Sequence, residues 1–200
     1  KRCRVELEFG ALRLPEFPVP TGFTPESYLT HLTGEGMKER FPYPSREVLK
    51  RRQHDLTIIN QAGLAGYFLI AWDLVAFAKR EGIPVGPGRG SGVGSLVAYL
   101  LGITQVDPIR HGLLFERFLN PERIGMPDLD IDLCHLGRPR VLEYLRSRYG
   151  QEHVAHLGAF VTLRPRAVIR DVGRALDVAY PKIDRAAKAV PYYAAGVERS

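Results

Sequence analysis

Two hundred residues and 22.4 kDa give enough chain for one ordinary domain with a real core, or slightly more. A composition 45% apolar and 25% charged is that of a globular chain, and the longest apolar run, near Tyr67 to Ala78, is broken by Asp73 well short of the roughly 20 residues of a membrane helix. The net charge is +6, and 160–200 carries eight basic residues against four acids, or +4 of that total; such an excess suggests a polyanionic partner. Two cysteines, Cys3 and Cys134, exclude a disulfide framework and a four-ligand zinc site. The start of the chain lacks the apolar region of a secretory signal, so a reducing cytoplasm is the expected compartment.

In chain order, the Pro-punctuated residues 1–22 read as a strand end followed by an extended connector. Thr24-Pro25-Glu26 is a helix start with cap, proline and early acid, and the helix runs to about Phe41. Ser45 to Ala62 is a second helix, capped by Ser45 and stopped at Gly63, with Val48, Leu49, Leu56 and Ile59 inward and Arg51, Arg52 and His54 on a solvated basic face. Tyr67 to Ile70 fits either a strand or the start of a buried helix, and Ala71 to Arg80 is helical up to Gly82. Ile83-Pro84-Val85 is extended, and the glycine-rich loop Gly86 to Gly94 feeds a helix from Ser95 to Leu101. Asp128 to Leu133 alternates as a strand, Arg138 to Tyr149 is a helix ended by Gly150, and His153 to His156 is a further strand. Leu163 to Asp177 and Lys182 to Ala189 are helical. Strands mixed with helices without a βαβ rhythm predict an α+β, or mixed α/β, fold.

Two motifs carry chemistry. In Met126-Pro127-Asp128-Leu129-Asp130-Ile131-Asp132-Leu133, a period of two puts three carboxylates on one face and three apolar residues on the other. Carboxylates roughly 6.5–7 Å apart along such a face can converge on one divalent cation, and hard oxygen donors of this kind suit magnesium. The alternative is an edge strand with its acids in water, although aspartate is a poor strand former.

The second motif is Val85-Gly86-Pro87-Gly88-Arg89-Gly90-Ser91-Gly92-Val93-Gly94-Ser95. Its glycines let backbone N–H groups approach a ligand, the helix that follows offers an N-terminus, and Arg89 and Ser91 add phosphate donors. No Gly-Lys-Ser/Thr follows, so it is no P-loop, and its glycine spacing fails the dinucleotide fingerprint. Arg117 and Arg123 lie between the motifs, either able to pair with Glu116 or Glu122 on the surface. Phosphate donors beside a metal-binding acid strand form the kit of nucleotidyl transfer.

Gly86 to Tyr99, Leu113 to Arg123 and Met126 to Asp132, with Gly66 to Ile70 and Ala167 to Arg174 as further matches, closely resemble the C-family replicative DNA polymerases, the bacterial polymerase III alpha subunits. The resemblance implies a polymerase-beta-like nucleotidyltransferase palm at 23–159, after the tail of a preceding domain and connector at 1–22. The start of a helical thumb follows at 160–200. It also implies that Asp128 and Asp130 are catalytic metal ligands for Mg2+, with Asp132 outside the catalytic trio. Arg89, Gly90, Ser91, Arg117 and Arg123 would bind the incoming dNTP. Primer-template DNA is then a partner, with other replicase subunits and the sliding clamp, and no membrane.

The chain departs from the family pattern at Leu133, where an aromatic residue is usual, and at Phe160-Val161-Thr162, where the family has Phe-Gly-Thr; Arg166 keeps the charge of the family's lysine. The third catalytic aspartate of the family lies beyond Ser200, so the isolated piece is alternatively expected to bind nucleotide and DNA without turnover. From spacing alone, Arg166, Arg170 and Arg174 at i, i+4 and i+8 form a stripe for duplex backbone, with Val168, Val172 and Leu176 packing on another side.

Overall fold

The computed structural model describes residues 14–120, 126–158 and 162–191. They divide into two compact units, one within 1–155 and the other within 156–200. The first holds α1 (Pro25–Arg40), α2 (Arg46–Gln61), α3 (Ala65–Arg80), α4 (Leu96–Leu100) and α5 (Arg138–Tyr149), with single 3-10 turns at Ser91–Gly94, Phe115–Arg117 and Gln151–His153. The second is a hairpin of α6 (Pro165–Ala175) and α7 (Tyr180–Ala189).

The helix ends follow local chemistry. Thr24 and Ser27 form a reciprocal capping box before Pro25, and the Ser45 hydroxyl accepts the Val48 N–H. The ambiguous run from Tyr67 is helical from Ala65 on, apolar nearly all round, with α1 and α5 packed against it. The main core gathers Leu29, Leu56, Ile59, Phe68, Leu69, Val75, Val97 and Phe115, all almost fully buried. Within it, Phe68 meets Phe118 edge-on at 5.9 Å. The charge that breaks the run, Asp73, is buried on α3 and held by α5: Tyr144 and Tyr149 hydroxyls donate to it at 2.8–2.9 Å, and Arg148 Nε lies 2.7 Å away.

The α+β expectation, with its polymerase-beta-like palm, is overturned: among the described residues the fold is helical and has no sheet. Asp128 to Leu133 is extended but meets a partner at only one antiparallel bridge, Val85 to Leu133. Gly86 N–H donates to Asp132 O at 2.9 Å and Cys134 N–H to Pro84 O at 3.0 Å. Pro84 has no N–H to return the second bond. On the other side, Gly88 at φ 110° and Gly90 at φ 66° turn the chain out of extended geometry. The ladder therefore ends where it begins.

His153 to His156 is not a strand either. A 3-10 turn occupies its start, and His153 Nδ1 lies 2.6 Å from the Tyr149 carbonyl. The α2 face read as solvated is an inter-helix bonding face. Arg52 Nη2 donates to Thr30 O at 2.7 Å, and Arg51 turns inward, whereas Leu49 is left exposed. In the second unit the apolar row expected to pack is the exposed one, Val172 being 51% and Leu176 70% exposed. Packing runs instead through the Gly173 face of α6, where a Cβ would come within 2.7 Å of Ile183.

Candidate functional site

The glycine loop and the acid segment dock on one another. Leu129 and Ile131 pack on the main core, Leu133 packs beside Val85 near Ile83 and Val141, and Asp128 and Asp132 face outward with Asp130 half-buried. The two-faced character read from the alternation thus survives without a sheet. A second anchor comes from α3: Leu129 N–H donates to the Tyr67 hydroxyl at 3.0 Å. Burial pushes the Tyr67 phenol up, the Leu129 bond opposes this, and Asp128 and Asp130 add to the rise. Nothing in the sequence spacing marks Tyr67 for this task.

Loop and acids meet most closely at Gly90, where a Cβ would come 2.5 Å from Asp130 Oδ2; with φ at 66°, only glycine fits there without strain. Arg89 reaches over the acids, its Nη2 3.0 Å from Asp130 Oδ1 and its Nε 3.1 Å from Asp132 Oδ1. Both carboxylates thereby converge on one cation, while Asp128 stands apart in solvent. Among the described residues no three His, Cys, Asp or Glu side chains gather as a ready metal cage.

On its other side the loop opens into a pocket of about 170 Å³ between Gly90, Ser91, Val93 and Gly94 on one wall and Gly112, Leu113, Leu114 and Arg117 on the other. Gly90, Ser91 and Arg117 of the expected nucleotide residues are brought together here, and Arg89 turns to the acids instead. Arg123 lies outside the described residues. Glu116 takes His54 as its partner, Nε2 to Oε1 being 3.0 Å, and a backbone hydrogen bond first, then the His54 bond, holds the Glu116 carboxyl below its usual range.

The helix after the loop does not offer its N-terminus to an external anion. Leu96 N–H donates to Asp55 Oδ2 at 2.8 Å and Ala98 N–H to the Ser95 hydroxyl at 3.2 Å, all within the interior. Free donors for a ligand of this site would therefore have to come from the loop and from side chains. Asp55 is fully buried on α2 and paired with Arg51 at 2.8 Å. Burial pushes its carboxyl up to about 6 against the pull of Arg51. Their mutual pair is a local i,i+4 one, but the backbone groups it holds lie about 40–60 positions away, so the sequence does not reveal its task.

In the second unit, Arg166, Arg170 and Arg174 line a groove of about 370 Å³ with Arg164, Pro165, Ala167 and Asp171. Arg166 Nε donates to Val190 O at 2.7 Å, and Arg170 Nη2 lies 3.0 Å from Asp184 Oδ1 on α7. Arg174 Nη1 is 3.5 Å from Asp171 Oδ1, the local pair that the spacing suggests.

Comparison with known proteins adds an independent line. A family model described as the bacterial DNA polymerase III alpha NTPase domain matches residues 27–199. The chain is 48% identical over 191 residues to the DNA polymerase III subunit alpha of Bacillus subtilis (strain 168), which covers 96% of this chain and 17% of that protein. It is 47% identical over 201 residues to the protein of that name from Neisseria meningitidis serogroup A, covering 96% and 18%. Against the one from Aquifex aeolicus it is 47% identical over 182 residues, covering 89% and 16%. The chain thus spans less than a fifth of the length of these relatives. On the family match and this identity over nearly its whole length, the chain belongs to the bacterial DNA polymerase III alpha family.

Proposed function

We propose that this chain carries the nucleotide-handling part of a template-directed DNA polymerase, which adds an incoming dNTP to a primer 3′-hydroxyl in DNA replication. In that reaction the hydroxyl oxygen bonds to the alpha-phosphorus, the bond from that phosphorus to the bridging oxygen breaks, and pyrophosphate leaves. The observation that carries the reading is the docking of loop on acid segment. Gly90 touches Asp130 on one side and lines the Ser91–Arg117 pocket on the other.

Asp128 and Asp130 would hold divalent metal, Mg2+ by the hardness of their oxygens, and the convergence of Asp130 and Asp132 on the Arg89 guanidinium fits a cation at this face. Metal held there would supply neutralisation of the triphosphate and of the developing pyrophosphate charge. The chain's own groups do the rest. The Ser91 hydroxyl donates to phosphate oxygens, Gly90 allows the loop backbone a close approach, and Arg117 neutralises charge at the pocket mouth. Arg89 balances the acids, and Arg123 is assigned to nucleotide by the family motif alone. In the second unit the arginine groove suits the duplex backbone of primer-template DNA. Other replicase subunits and the sliding clamp would be partners of the full-length polymerase.

The test is single-turnover incorporation by the full-length polymerase. Asp128→Asn or Asp130→Asn is expected to slow it by about a thousandfold, from loss of charge stabilisation that matters most in the transition state. Primer-template affinity should stay within about twofold. Near-normal extension by either variant overturns the assignment.

A further inference from the structure

We infer that Arg51 and Asp55 of α2 are positioning residues for the nucleotide pocket, their ion pair clamping the two backbone segments that form its walls. The inference rests on the nucleotide reading above for the identity of the ligand.

The guanidinium takes one carbonyl from each wall. Arg51 Nη2 donates to Gly94 O at 2.6 Å and to Leu113 O at 3.1 Å, and Nη1 donates to Leu113 O at 3.1 Å. Nε meanwhile lies 2.8 Å from Asp55 Oδ1. The second oxygen of Asp55 accepts Leu96 N–H, two residues past Gly94. Gly94 and Leu113 both line the pocket, and the walls come so close beside them that a Cβ on Gly94 would meet Leu114 O at 2.6 Å. One planar cation with fixed donor directions therefore sets the separation of the two walls, one presenting Ser91 and the other Arg117.

Stability alone does not account for this choice. A buried ion pair carries a desolvation penalty that close apolar packing avoids, and replacing such pairs with hydrophobic residues is often neutral or better. Arg51 is only 18% exposed and Asp55 wholly buried, and the other bonds of the pair go to backbone of the two walls and to the start of α4. His54, on the same helix, reaches the second wall at Glu116, next to Arg117. The face of α2 that looks like a plain basic surface is thus the frame on which the pocket is stretched.

The experiment uses the full-length polymerase with Arg51→Ala, Arg51→Lys and Asp55→Asn, alone and combined with Ser91→Ala, and reads the dNTP KM and kcat separately from primer-template affinity. Arg51→Ala is expected to raise the dNTP KM about tenfold with DNA affinity unchanged within about twofold. Arg51→Lys should recover little of this, because one ammonium cannot bridge both carbonyls and Asp55. The effects of Arg51→Lys and Ser91→Ala on KM should be non-additive, since both act on one pocket.

A merely structural role would lower the active fraction, hence kcat, and leave KM unmoved. That result in Arg51→Lys or Asp55→Asn overturns the inference, even if Arg51→Ala fails to fold. If Ser91→Ala raises KM while folded clamp variants do not, the clamp fails and the nucleotide reading stands. If Ser91→Ala and Arg117→Ala also leave KM unchanged, the pocket is no nucleotide site and both fall.

Discussion

Asp55 holds its proton to about pH 6 in the folded chain, against an ordinary value of 3.8, because burial outweighs its pairing with Arg51. Between those values the folded state binds the extra proton, so its contribution to stability is complete below about pH 4. It is lost as pH rises through 6. A shift of about two units corresponds to up to about 3 kcal/mol. Asp55→Asn removes this titration, so the stability of the parent relative to that variant should fall by up to this amount from pH 4 to pH 6.5. Denaturant midpoints at several pH values measure it, and a constant difference across the window would mean that Asp55 does not titrate there. At this scale the sequence reveals residues whose chemistry is written locally: the alternating aspartates and the glycine loop. Tyr67, Arg51 and Asp55 escape it because each works through partners distant in the chain, where spacing carries no signal.

Among elements, helix ends are legible because capping is local. Thr24 before Pro25, Ser45 before Arg46 and Gly150 after Tyr149 each stand where the structure starts or stops a helix. Strands are not, since a ladder is a property of two segments. Asp128 to Leu133 has the right alternation, but its partner segment begins with a proline and ends in glycines. The orientation of α6 is misread for a related reason: its arginine row has a helix to lean on, which the spacing cannot reveal. Arg166 and Arg170 bond to Val190 and Asp184, and both side chains also line the groove. Replacing Arg166, Arg170 and Arg174 with alanine in the full-length polymerase should weaken primer-template binding. The log–log salt slope should fall by about 0.9 for each DNA phosphate no longer neutralised. Lys188, 2.7 Å from Asp184, still pairs with that carboxylate when Arg170 is removed. An unchanged slope and affinity would remove α6 from the DNA surface.

For the molecule as a whole, chemistry and charge are unevenly shared. The first unit builds a helical core under a glycine-rich loop and an acid segment, and the second concentrates positive charge on a two-helix hairpin. How the acid segment is fastened has a mechanical consequence. Its backbone is bonded near both ends, at Leu129 by the Tyr67 hydroxyl and at Asp132 to Cys134 by Gly86 and Pro84, with the Ile131 side chain packed on the core between them. Between those bonds the backbone has, among the described residues, no row of neighbouring strand bonds, only the single bridge at Leu133. Amide hydrogen exchange should then find protection concentrated at Leu129, Gly86 and Cys134, with Tyr67→Phe releasing Leu129 while Gly86 and Cys134 stay slow. Uniform alternate protection from Asp128 to Leu133, as in a sheet strand, would contradict backbone bonding confined to the ends of the segment.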